Sequence, residues 1–183
     1  TNSNTFQGNT FNINSTSSDA GGIILQNSGT ADSNTIQDNT FEINSSSQSY
    51  GVWLYNVLGI SMDSSIVKNN IINSISSASS SNFQSYGIYL YNADYTNTSQ
   101  NTINATAPNA KSAGIYLDSG SDSGNFWQNT VTDGNHSLYI LSGGSDGSTF
   151  WNNTFQSAYN TEINDSSGGS DTNYFHYENT HGI

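Results

Sequence analysis

Two sets of recurring side chains in this sequence could do chemistry. The first is aromatic. Trp53, Tyr89, Tyr116 and Tyr139 hold the same place in "YGVWLYN" (50–56), "YGIYLYN" (86–92), "AGIYLDS" (113–119) and "HSLYILS" (136–142), and Tyr55 and Tyr91 follow two residues after the first two. A column of rings suits a sugar face, a protein interface or packing between successive repeats. The second set is acidic: Asp32, Asp63, Asp94, Asp122, Asp146 and Asp171 recur at intervals of 31, 31, 28, 24 and 25 residues. Carboxylates stacked one repeat apart would repel. Either each accepts N–H groups of its own turn and points into water, or calcium bridges them. Asp122, Asp146 and Asp171, in "SGSDSG", "GGSDGS" and "GGSDTN", are the calcium candidates.

Composition narrows the chemistry. The 183 residues carry 14 acids against two bases, Lys68 and Lys111, with no arginine and a net charge of −12. Such a chain has nothing with which to release counterions from a phosphate backbone, which excludes nucleic acid and anionic membranes as partners. Without cysteine there is no disulfide framework and no thiolate metal site. His136, His176 and His181 lack metal-ligand spacing and read as structural or surface residues. No apolar run is long enough to insert in a membrane, and the expected cofactor content is none, with calcium the sole candidate. Charged residues are only 9% of the chain, and solubility comes from Ser, Thr and Asn, a composition that suits an extracellular or cell-surface protein.

The elements that must position these side chains follow from the same register. Seven residues after each acidic marker comes an asparagine: Asn9 (with Asn2 as the marker), Asn39, Asn70, Asn101, Asn129 and Asn153, the last repeat slipping by one to Asn179. Four residues after the marker stand Phe6, Ile36, Val67, Thr98, Phe126, Phe150 and Phe175; nine after it, Phe11, Phe41, Ile72, Ile103, Val131 and Phe155, with His181 one place further on in the last repeat. Units of 24 to 31 residues made of short period-2 apolar runs predict a solenoid with three strands per coil, spelled "SNTIQ", "NTFEIN" and "GVWLYN" in the second coil. Alternation turns Phe41 and Ile43 inward and Thr40 and Glu42 outward. Ile88 and Leu90 face the core, with Gly87 at a corner where a Cβ would crowd the turn.

"SNTIQDNTFEIN" (33–44) and "YGIYLYN" resemble the repeats of the right-handed parallel β-helix superfamily, especially its Asn-rich copper-accessory-like and archaeal surface-protein versions. The resemblance implies a single all-β domain over 1–183, with six to seven coils about 30 Å long at ~4.8 Å per coil. It also implies that the asparagines line one very short turn as an inward ladder. On the pectinase members of the superfamily the aromatic strand lies on the sugar-holding face. The lyase chemistry of those relatives uses an Arg or Lys base, and their hydrolase chemistry uses paired carboxylates. This chain has no arginine, its lysines lie off the aromatic strand, and Asp118 is the one carboxylate among the aromatic outward positions, with Asp94 and Asp122 on nearby turns; all three read as solvated turn acids. The expectation is a non-enzyme.

Seven N-x-S/T sequons, at Asn14, Asn44, Asn97, Asn104, Asn135, Asn152 and Asn164, are glycosylation candidates, although 28 Asn and 51 Ser or Thr in 183 residues give about eight by chance. The chain enters the register at once and stops within it, without initiator Met or signal peptide, as a mature or excised segment would. The expected role is a non-catalytic structural protein of the cell surface. It would self-associate end to end into a homopolymeric filament, with glycan as a further partner. The alternative is a carbohydrate-binding or carbohydrate-cleaving β-helix acting through the aromatic face.

Overall fold

The computed structural model describes residues 3–27, 33–56, 64–79, 81–132, 134–141, 146–156, 163–166, 173–176 and 180–181. All of the regular structure among them is β-strand, arranged in three parallel sheets of seven, seven and six strands. The first sheet begins with Thr5–Gln7 and Thr35–Gln37, the second with Thr10–Ser15 and Thr40–Ser45, and the third with Ala20–Asn27 and Ser49–Asn56. In each sheet every strand pairs with its counterpart one coil on. The chain is therefore a right-handed parallel β-helix of six three-stranded coils plus two strands of a seventh.

The register is that of the sequence columns. Phe6, Ile36, Val67, Thr98, Phe126, Phe150 and Phe175 are successive partners in the first sheet. Phe11, Phe41, Ile72, Ile103, Val131, Phe155 and His181 are partners in the second. The inward residues of both, with Val52, Leu54, Ile88, Leu90, Ile115 and Leu117 of the third, make one core, and like rings lie over like rings, as in Phe126 on Phe150 at 4.6 Å.

The corner between the first and second sheets explains the fixed offset of seven. It contains a single left-handed residue (Gly8, Asp38, Asn69, Gln100, Gln128 or Asn152, φ between 52° and 68°) followed by the asparagine, so two residues turn the chain and an insertion has nowhere to go. Length variation falls at the other two corners. Inside this corner Asn70 uses all four positions of its carboxamide. Its Nδ2 donates to Ile36 O at 2.9 Å in the preceding coil and to Asn101 Oδ1 at 2.9 Å in the next. Its Oδ1 accepts the backbone N–H of Asn39 at 3.0 Å and the Nδ2 of Asn39 at 3.1 Å. Asn101 and Asn129 repeat the pattern, and Asn9, Asn39 and Asn153 belong to the same chain of bonds. Asn39, Asn70, Asn101, Asn129 and Asn153 are 1% exposed, buried without an unsatisfied amide. Asn179 lies outside the described residues.

Candidate functional site

The aromatic face is built on a glycine. Gly51, Gly87 and Gly114 drop out of the third sheet's pairing, in which Tyr50 pairs with Tyr86 and Val52 with Ile88. A Cβ on Gly87 would stand 2.2 Å from Ile103 Cγ2 and 2.5 Å from Gly114 O, so no larger residue passes there. The skipped residue resets the alternation. Tyr50 and Trp53, three apart, consequently share the outer face and stack at 4.7 Å. Tyr86 and Tyr89 do the same at 5.0 Å.

Trp53, Tyr89, Tyr116 and Tyr139 are register partners, with Tyr55 beside Tyr91. Sequence alternation missed Tyr50 and Tyr86, which form a second aromatic column. Tyr50 lies on Tyr86 at 5.0 Å and 2°, and Trp53 on Tyr89 at 5.5 Å and 7°. The next coil has Ala113 where Tyr86 would repeat, and Tyr116 fills the space by turning its ring 90° to Tyr86 and 84° to Tyr89, with Tyr139 parallel to it at 5.2 Å. These rings and Ala113 form an apolar cluster of their own, separate from the core, in which Tyr50, Tyr86 and Tyr116 are buried. The rings thus pack on one another from coil to coil, and the faces that meet are covered by other rings. Tyr55 and Tyr91 meet at 4.9 Å with planes tilted by 59°.

Asp118 ends this face, and it is no solvated turn acid. It is 9% exposed. Its Oδ2 accepts the Tyr89 hydroxyl at 2.8 Å, and its Oδ1 the Ser119 hydroxyl at 2.8 Å. Burial pushes the phenol of Tyr89 well above its ordinary range, and the charge of Asp118 adds to the rise; the phenols of Tyr50, Tyr86 and Tyr116 are raised chiefly by burial as well.

The other described carboxylates also serve the fold. Asp94 Oδ1 accepts the backbone N–H of Asp122 at 2.9 Å, and Asp122 Oδ1 that of Asp146 at 2.8 Å. The acidic column thus relieves itself by bonding the next coil's amide, where the sequence suggested each turn's own. Asp38 accepts from Gln7 and Asn69, and Glu42 from Asn73. Calcium gains no support: among the described residues no three of His, Cys, Asp and Glu gather as a metal set, and Asp32, Asp63 and Asp171 lie outside them.

A second inward polar column also escaped the sequence reading. Two residues after the marker stand Asn4, Asn34, Ser65, Thr96, Gly124, Ser148 and Asn173. Asn34 Oδ1 accepts Asn4 Nδ2 at 3.0 Å, Ser65 Oγ accepts Asn34 N–H at 3.3 Å, and Ser148 Oγ accepts Gly124 N–H at 3.1 Å. Its signal was the constant offset, masked by four residue types. The sequons scatter. Asn14 and Asn152 are exposed, whereas Asn44, Asn97, Asn104, Asn135 and Asn164 are half-buried, and the Asn135 side chain accepts the N–H of Ser112 at 3.0 Å.

A family model described as "Periplasmic copper-binding protein (NosD)" matches residues 1–183. The chain belongs to this family. No curated protein and no solved structure matches it. The NosD family is periplasmic and an accessory family, which agrees with a protein working outside the cytoplasm in a non-catalytic role. No helix among the described residues is long and apolar enough to cross a membrane. The donor set of this NosD-family chain does not fit a resident copper ion, which is held by thiolate, thioether and imidazole ligands. It has no cysteine, a single methionine and three histidines. His136 lies on the third sheet against Tyr139, His176 directly follows a strand of the first, and His181 is a strand residue of the second, so the three positions belong to three different sheets.

Proposed function

We propose that this NosD-family chain is a non-catalytic structural solenoid of the periplasm or cell surface, acting through its faces and turning over no substrate. The observation that carries the reading is the employment of its carboxylates. Asp38, Glu42, Asp94, Asp118 and Asp122 each accept hydrogen bonds from the chain's own amides and hydroxyls. Hydrolysis of a glycoside needs two carboxyl groups turned to the substrate about 5 to 9 Å apart. Elimination needs a lysine or arginine beside it whose unprotonated nitrogen takes the proton, yet Lys68 lies on the first sheet and Lys111 at the start of a third-sheet strand. A broad polysaccharide panel, assayed for reducing ends and for unsaturated products, is expected to yield nothing above buffer. Product release that disappears in Asp118→Asn would overturn the reading in favour of a carbohydrate-active one.

The finer reading is a filament subunit that grows by stacking one β-helix on another. Its support is the first coil, where Phe6, Phe11 and Ile13 are half-buried while their register partners Ile36, Phe41 and Ile43 are inaccessible. A further coil would bury them and extend the ladder beyond Asn9. Offered by a second copy, that coil makes a head-to-tail contact, which grows an open polymer unless its rotation closes. Sedimentation over a range of concentrations, with electron microscopy, should show elongated polymers. A monomer at every concentration contradicts self-assembly and leaves the non-catalytic reading standing.

A further inference from the structure

The aromatic face holds an arrangement that a structural role does not use. Tyr89 is its hub: its ring lies 5.5 Å from Trp53, 5.0 Å from Tyr86 and 5.1 Å from Tyr116, which continues to Tyr139 at 5.2 Å. Its hydroxyl donates to Asp118 Oδ2 at 2.8 Å, and Ser119 fixes the other carboxylate oxygen at 2.8 Å. Burial and the carboxylate together raise the phenol's pKa, so its anion is out of reach at ordinary pH. A neutral phenol gives up an electron readily only when its proton leaves at the same time, because the phenol radical cation is a strong acid. A hydrogen-bonded carboxylate is the base that can take that proton. Trp53 offers the contrast. Its Nε1 is buried with no acceptor, so oxidation there stops at a higher-energy radical cation that passes its hole to the neighbouring ring.

We propose that Tyr89 and Asp118 are a redox-active pair within a stacked aromatic relay. An outer-sphere one-electron oxidant, of the class of a high-potential metal complex or an inorganic radical, removes one electron from the stack. The O–H bond of Tyr89 breaks, its proton forms an O–H bond on Asp118 Oδ2, and a neutral phenoxyl radical remains on Tyr89. A one-electron reductant reverses the step, with the proton returning from Asp118. Trp53, Tyr50, Tyr86, Tyr116 and Tyr139 give the electron its path across successive coils. The inference is independent of whether the protein polymerises.

The test uses the full chain with tris(bipyridine)ruthenium(III) generated by a flash in the presence of persulfate, read by transient absorbance and freeze-quenched paramagnetic resonance. Tyr95→Phe with Tyr174→Phe removes two exposed tyrosines and serves as the background. In that background a neutral phenoxyl signal is expected. Tyr89→Phe should lose it in favour of a tryptophan radical, and Asp118→Asn should lose most of it while keeping the β-sheet circular dichroism. In deuterated water the background protein should form the phenoxyl more slowly, a reading that needs no further variant. An unchanged phenoxyl yield in both variants, or the same rate in both solvents, would overturn the pair.

Discussion

The asparagine corner and the aromatic face both stack like side chains from one coil to the next, yet they obey different rules. In the corner Asn39, Asn70, Asn101 and Asn129 are each tied above and below, Asn101 donating to Val67 O and Asn129 Oδ1 and accepting two N–H donors from Asn70, so these places need an asparagine. On the aromatic face the column changes at Ala113, and Tyr116 turns its ring to fill the gap. Inside, a repeat is an obligation set by hydrogen bonds that water cannot replace. Outside, it is a packing preference that tolerates a change of shape.

The largest effect that would break this contrast is Asn101→Leu. The substitution keeps the branching of the side chain but removes the acceptor of the Asn70 N–H and takes one bond each from Asn70 Nδ2, Val67 O and Asn129 Oδ1. A loss of about 1–3 kcal/mol for each buried group left unpaired is enough to unfold a marginal domain, and denaturant unfolding measures it. A loss no larger than that of an outward Tyr91→Leu would remove the distinction between the columns.

Gly87→Ala is next. The added methyl meets Ile103 and the Gly114 carbonyl below any real contact distance, and overpacking of this kind costs about 1–3 kcal/mol. It also undoes the skip that lets Tyr86 and Tyr89 share a face, so near-ultraviolet circular dichroism should change together with stability. A stable variant with an unaltered aromatic spectrum would disprove the glycine's part in building the face.

Thr98→Val works in the opposite direction. Thr98 stands among phenylalanine, isoleucine and valine in the inward column of the first sheet, fully buried, and its hydroxyl has no partner. Replacing an orphaned hydroxyl by a methyl of the same shape should stabilise by about 1 kcal/mol, read as a higher midpoint in the same denaturant titration. Destabilisation would mean that the inward column carries an obligation there too.

The smallest effect appears only in alkali. The phenols of Tyr50, Tyr86, Tyr89 and Tyr116 have raised pKa values in the folded protein. Their contribution is therefore fully present below the ordinary phenol value of about 10 and is lost as pH climbs above it. Tyrosinate absorbance should rise for these four in a step that coincides with unfolding, and ionisation with the fold intact would contradict their burial.

The fold was legible because the short corner forbids insertions. Asn39, Asn70, Asn101 and Asn129 keep their offset from Ile36, Val67, Thr98 and Phe126 while coil length drifts elsewhere. Tyr50 and Tyr86 were not legible by alternation, since that reading assumes an unbroken pleat and Gly51 and Gly87 break it. The second polar column hid because Asn, Ser, Thr and Gly share its place. Asp118 looked like a turn acid because sequence cannot show that the Tyr89 and Ser119 hydroxyls close over a strand's last residue.

The central claim is that a repeated asparagine inside differs in kind from an asparagine outside, and native-state hydrogen exchange read by nuclear magnetic resonance tests it most directly. The account predicts that the backbone N–H and side-chain Nδ2 protons of Asn39, Asn70, Asn101 and Asn129 exchange only through global unfolding, while the side-chain amides of Asn14 and Asn152 exchange at the rate of open chain. Ladder protons that exchange as fast as those of Asn14 would contradict it.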